Sequence, residues 1–180
     1  VGLSLPDAFA MLASAESVAT KTKLVEGYKK AFMELRSIHG EGASPLFAGA
    51  ADVIQTLSAM DGVYLGIATG KSARGLNHML DEHGLRPHFD TLHPSDFYPS
   101  KPHPMMVEAA LEEMGLTPEQ AVMVGDTTYD MDMARYAKIA GIGVSWGYHS
   151  GDALVAAGAE TVLTGFEHLI PHLKTTGRLP

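Results

Sequence analysis

Asp126 and Asp130 stand four residues apart and follow directly on the apolar run Ala121–Val124 and Gly125. At the start of a helix, an i,i+4 pair lies on one side of the turn. Paired hard oxygen donors at a strand end suit Mg2+, which keeps several waters and takes one or two carboxylates plus a substrate phosphate. The same pair has a plainer reading, in which Asp126 caps the next helix and Asp130 is a solvated acid of its first turn. A hydroxyl and two lysines occupy related positions: Thr69-Gly70-Lys71 follows the apolar run Val63–Ala68, and Ser100-Lys101-Pro102 precedes a helix. A threonine hydroxyl with the free N–H groups of a turn holds phosphate oxygens, and a lysine neutralises charge on a phosphoryl group in transfer. Taken singly, Thr69 is a helix N-cap and Lys101 an exposed lysine. Taken together, a hydroxyl, a lysine and two acids arrive at successive strand ends in chain order.

Those positions matter only if the runs before them are parallel strands. Between residue 45 and the C-terminus, apolar runs alternate with helical spacing. The strands are expected at Val63–Ala68, Phe89–Leu92, Ala121–Val124, Gly141–Ser145 and Thr161–Leu163. Helices are expected around Val53–Met60, Ser72–His83, Met105–Met114, Tyr129–Ala137, Asp152–Ala157 and Phe166–Leu173. Continuously apolar strands alternating with helices predict an α/β fold, a parallel sheet covered on both faces. In such sheets, ligands bind outside the carboxyl ends of the strands.

The first forty residues read differently. Ser4 and Pro6 signal the start of a short helix through Ala15. Leu24, Tyr28, Ala31, Phe32 and Leu35 then recur at helical spacing in an amphipathic helix over Thr20–His39, with Lys21, Lys23, Lys29 and Lys30 mostly on other faces. No strand is visible there. Gly40–Pro45 is rich in turn residues and marks the boundary between residues 1–44 and 45–180.

The chain has 180 residues, 13 basic and 21 acidic side chains for a net charge of −8, and no cysteine. Disulfides, a thiolate nucleophile and cysteine-ligated zinc are thereby excluded, and a cytoplasmic location is expected. With no block of Lys and Arg, a nucleic-acid partner is not expected. No apolar run is long enough to span a bilayer, so no membrane partner is expected either.

Several motifs fall short. Gly70-Lys71-Ser72 resembles the end of a phosphate-binding loop that would need glycine where Leu65 stands, and Gly141-x-Gly143 would need glycine in place of Trp146. Gly143-Val144-Ser145-Trp146-Gly147 matches a serine-hydrolase elbow, but too little chain follows for that fold. His168 and His172 lack the glutamate of a zinc-protease helix and read as surface histidines. Met105, Met106, Met114, Met123, Met131 and Met133 read as core filler.

The series Ile67-Ala68-Thr69, Ser100-Lys101-Pro102-His103-Pro104 and Val124-Gly125-Asp126-Thr127-Thr128-Tyr129-Asp130 resembles the second, third and fourth motifs of the haloacid dehalogenase (HAD) superfamily. It is most similar to the phosphoglycolate-phosphatase-like branch with a helical cap. The resemblance implies a Rossmann-like core over residues 45–180 and the C-terminal part of a cap over residues 1–44. It implies a Mg2+-dependent phosphatase that hydrolyses a small phosphorylated metabolite through an aspartyl-phosphate. Thr69 with Gly70 and Lys71 would bind the substrate, Lys101 would hold the phosphoryl group and nucleophile, Asp126 would ligate the metal, and Asp130 would support the metal site directly or through water.

The family's first motif, a strand ending in Asp-x-Asp-Gly-Thr that supplies the nucleophile, is absent from these residues. Asp130-Met131-Asp132 follows no strand and does not replace it. The chain therefore reads as an N-terminally truncated form, inactive alone, lacking the central strand of its sheet and prone to dimerise or swap a strand. A sugar phosphomutase, phosphonatase or dehalogenase on the same core, or a non-catalytic phosphate-binding module, are the alternatives.

Overall fold

The computed structural model describes residues 2–39 and 45–179. Most of the expected Gly40–Pro45 boundary lies outside the described residues. Five short strands form, β1 (Gly66–Thr69), β2 (Thr91–Pro94), β3 (Val122–Gly125), β4 (Ala140–Val144) and β5 (Thr161–Leu163). All pairings are parallel: β1 with β2, and β3 with β4 with β5. Parallel neighbours require crossover connections, and helices supply them. They are α4 (Ala73–Glu82) between β1 and β2, α6 (Thr128–Tyr136) between β3 and β4, and α7 (Gly151–Ala156) between β4 and β5; α5 (Met105–Met114) joins β2 to β3, α1 (Leu5–Leu12), α2 (Val18–His39) and α3 (Ala50–Ser58) precede β1, and α8 (Leu169–Thr175) follows β5.

The α/β class expected from the alternation is what forms, with shifted edges. Val63–Leu65 is not strand, because Leu65 donates its N–H to Asp90 Oδ2 at 2.8 Å instead of to a neighbouring strand. Residues 166–168 form a 3-10 turn before α8. At the N-terminus Ser4 caps α1 by accepting the Asp7 N–H at 3.3 Å, and the helix ends at Leu12 because Ala13 leaves helical backbone angles.

Between β1 and β3 no ladder forms, yet both sheets share their covering layers. Ala68 of β1 and Met123 of β3 pack on one cluster from α5 and α6, centred on Met106, Leu111 and Met133. On the opposite face Leu65 and Val122 pack on one cluster from α3, β4 and α8, with Leu57, Ile142 and Leu173. The two sheets are thus one layer with an interruption. Exposure marks where it lies: β2 and β4 are mostly buried, whereas Gly66 of β1 and Val124 of β3 are exposed. Strands sandwiched by helices should be buried on both faces. The exposed residues follow from unpaired edges, as the missing central strand predicts.

Helices α1 and α2 form the expected pair, joined by an edge-on contact of Phe9 with Tyr28 at 6.0 Å. The periodicity of α2 predicts a packed face at Leu24, Tyr28, Phe32 and Leu35, but these side chains remain 37–55% exposed. An eight-residue α1 is too short to cover a 22-residue α2. Among the methionines, Met106, Met131 and Met133 are core, as expected, whereas Met105 is 41% exposed at the start of α5.

Candidate active site

Lys101 is not an exposed lysine. It is 8% exposed, and its Nζ donates to Asp130 Oδ1 at 2.6 Å. Asp130 is 4% exposed, so its reading as a solvated first-turn acid fails as well. Its second oxygen, Oδ2, accepts from the Thr127 hydroxyl at 2.7 Å and the Thr127 N–H at 3.0 Å. Thr127, fully buried, is the N-cap of α6 and returns the bond to the Asp130 N–H at 3.3 Å. This reciprocal cap satisfies amides that the first helical turn leaves unpaired. Asp130 thereby joins two strand-end loops, one bearing Lys101 and one bearing Asp126.

Asp126 is not the cap, because Thr127 fills that position. The Asp126 carboxylate is half-buried and accepts the Tyr148 N–H at 3.1 Å, while its carbonyl accepts the His149 N–H at 3.1 Å. His149 Nδ1 in turn accepts the Thr128 N–H at 3.0 Å. The loop after β4 is therefore folded against the loop after β3. Gly147 permits the approach: a Cβ there would stand 2.1 Å from the Asp126 Cβ. Gly125 plays the same part for Asp130, whose Cβ would be 2.3 Å from an added methyl.

Thr69 is not a helix cap either, since Ser72 caps α4 by accepting the Gly75 N–H at 3.2 Å. Thr69 Oγ1 accepts the Lys71 N–H at 3.1 Å and keeps its own proton as a donor. Lys71 itself is exposed. The segment Gly2–Ser4 links the separate loops. A Cβ on Gly70 would stand 2.6 Å from the Leu3 carbonyl oxygen, one on Gly2 would stand 2.9 Å from Thr127 Oγ1, and the Ser4 N–H donates to Ser100 Oγ at 2.8 Å. The residues at the end of β1, before α5 and after β3 thus meet around one stretch of backbone, the one that leads into α1. An open groove of about 640 Å³ lies beside Lys101, lined among others by Leu3, Asp7, Met11 and Tyr129.

Among the described residues no group of three or more His, Asp or Glu side chains forms a metal shell. The chemistry of the donors fits Mg2+ in part: Asp126 offers a hard oxygen at a strand end, while both Asp130 oxygens are already engaged. Asp132 is paired with Arg135 at 2.7 Å. His168 is exposed as expected, but His172 is half-buried with its Nε2 unpartnered. Thr127, Gly147 and His149 escaped the sequence reading. The signal for Thr127 was present, a threonine three residues before an acid at a helix start.

Comparisons with known proteins place the chain in a family. The model of the haloacid dehalogenase-like hydrolase family matches residues 1–144, and the chain belongs to that family. It is 32% identical over 172 residues to the probable phosphatase IndB of Dickeya dadantii (strain 3937), covering 94% of this chain and 74% of that protein. It is 30% identical over 138 residues to the phosphoglycolate phosphatase of Photobacterium profundum, covering 75% of this chain and 59% of that protein. For the phosphoglycolate phosphatase of Salmonella paratyphi A, 30% identity over 129 residues covers 71% and 51%. The chain spans about half the length of these phosphoglycolate phosphatases. The crystal structure of a predicted phosphatase from Clostridium acetobutylicum superposes with a TM-score of 0.83 at 23% identity, over 97% of this chain and 79% of that one, and shares the fold.

Proposed function

We propose that the protein is a Mg2+-dependent phosphatase acting on a small phosphate monoester, with phosphoglycolate the first substrate to test because relatives carry that name. The observation that supports this reading most is the buried Lys101–Asp130 pair at 2.6 Å, tied through Thr127 to the loop that carries Asp126. A buried lysine fixed by one carboxylate retains two N–H donors for phosphoryl oxygens, and pre-oriented donors stabilise developing charge without reorganising. Thr69, with its proton free to donate, would hold a second phosphoryl oxygen from the end of β1. Lys71, exposed beside it, would meet the outer part of the substrate.

Asp126 would hold the metal, which when bound supplies charge neutralisation for the phosphate. Asp130 acts by holding Lys101. Reaction through an aspartyl-phosphate needs a carboxylate nucleophile, which splits a slow hydrolysis into two easier steps. Neither Asp130, engaged at both oxygens, nor Asp132, paired with Arg135, suits that part. No nucleophile is assigned among these residues, and on the reading that the family's first motif supplies it the 180 residues are expected to show negligible turnover and weak Mg2+ binding. Phosphate release from phosphoglycolate and from an aryl phosphate, by the full-length protein and by the 180-residue chain with and without Mg2+, tests the reading. Robust hydrolysis by the 180-residue chain would remove the need for an outside nucleophile.

A further inference from the structure

A second buried polar cluster lies on β2, outside the bonds described above. Thr91 and His93, 2% and 3% exposed, are two residues apart and so share the face that packs on α5. His93 Nε2 lies 2.6 Å from Thr91 Oγ1, and His93 Nδ1 lies 2.8 Å from the Tyr98 hydroxyl, with the two rings edge-on at 5.3 Å. Thr91 Oγ1 also meets Glu113 Oε2 of α5.

The donors sort themselves. A carboxylate only accepts, so the single Thr91 proton goes to Glu113. Thr91 oxygen then accepts from His93 Nε2–H, which leaves Nδ1 bare to accept the Tyr98 O–H. One neutral tautomer satisfies every member, and burial favours it by lowering the imidazole pKa.

The chain of bonds starts at exposed Glu113 and ends on Tyr98, three residues before Lys101. The segment between is tethered at both ends. Ser95 Oγ donates to the Gly70 carbonyl at 3.0 Å, and Ser100 Oγ accepts the Ser4 N–H at 2.8 Å. Among the described residues, the Tyr98–His93 bond is the one side-chain hydrogen bond made by residues 97–99. The Tyr98 ring packs on the α5–α6 cluster, and its hydroxyl bond to His93 adds a directional tie to β2.

We propose that His93 is a positioning residue for Lys101, acting through Tyr98 to hold the segment that delivers the lysine to Asp130. The part Lys101 plays in catalysis rests on the phosphatase reading, but its placement does not, so the two can fail separately. The test is acetic anhydride labelling of the folded 180-residue chain, quantified at each lysine by mass spectrometry. Wild type should protect Lys101. Tyr98→Phe and His93→Phe, which keep the packing and remove the bond, should raise Lys101 labelling by about threefold to tenfold, the population change that one hydrogen bond sustains. Labelling of Lys71 and Lys174 should be unchanged. His93→Gln, which retains one donor and one acceptor, should restore protection. Wild-type labelling of Lys101 in a folded Tyr98→Phe chain would overturn the proposal, as would an equal rise at every lysine.

Discussion

Lys101 Nζ and Asp130 Oδ1 lie 2.6 Å apart, both buried, although 29 residues separate them in sequence. The pair crosses between the loop that precedes α5 and the first turn of α6, so it fixes one strand-end loop against another. A buried charge without its partner is costly, whereas the same charge paired is tolerated. Asp130→Asn should therefore cost about 3–5 kcal/mol of stability. It should also lower kcat more than it raises KM, because Lys101 loses its anchor. Urea denaturation and steady-state kinetics of the full-length protein check both, and a fully stable, fully active variant would detach the pair from function.

Gly147→Ala makes a sharper test of Asp126. The added methyl would collide with the Asp126 side chain, which must swing away. Calorimetry should show weaker Mg2+ binding by the full-length protein, and activity should require more Mg2+ to saturate. Unchanged Mg2+ dependence would mean that Asp126 is not the ligand.

Burial lowers the His93 pKa below 6.5, against a smaller upward pull from Glu113. A histidine with a depressed folded pKa takes up its proton more readily when unfolded, so unfolding gains protons as pH falls. Stability should hold above about pH 6.5 and decline as pH falls from there toward the folded pKa. His93→Gln should flatten that part of the profile of urea midpoint against pH. Equal slopes in the two proteins would contradict the buried neutral ring.

Much of this was legible in the sequence because it rests on local pattern. Alternating apolar runs and helical spacing gave the α/β class, and positions at strand ends or just before a helix pointed to Thr69, Lys101, Asp126 and Asp130 as candidates. What stayed hidden was which residue caps and which is buried. Asp126 and Thr127 are both good N-caps by type, and only the backbone shows that Thr127 takes the position. Asp130 reads as solvated until Lys101 arrives from 29 residues away. The loop after β4 gave no sign that Tyr148 and His149 fold onto Asp126, since that contact depends on the absence of a side chain at Gly147. In α2 the periodicity marked an apolar face correctly but could not say how little of it α1 would cover.

The role proposed for Lys101 is to serve phosphoryl chemistry. The most direct measurement is the initial rate of phosphate release from an aryl phosphate at saturating Mg2+, for the full-length protein and its Lys101→Ala variant, with folding of each verified by circular dichroism. The wild type should show Mg2+-dependent turnover, and kcat should fall by about 10²–10³-fold in the variant, the typical effect of removing one pre-oriented donor. A folded variant with wild-type kcat would contradict that role.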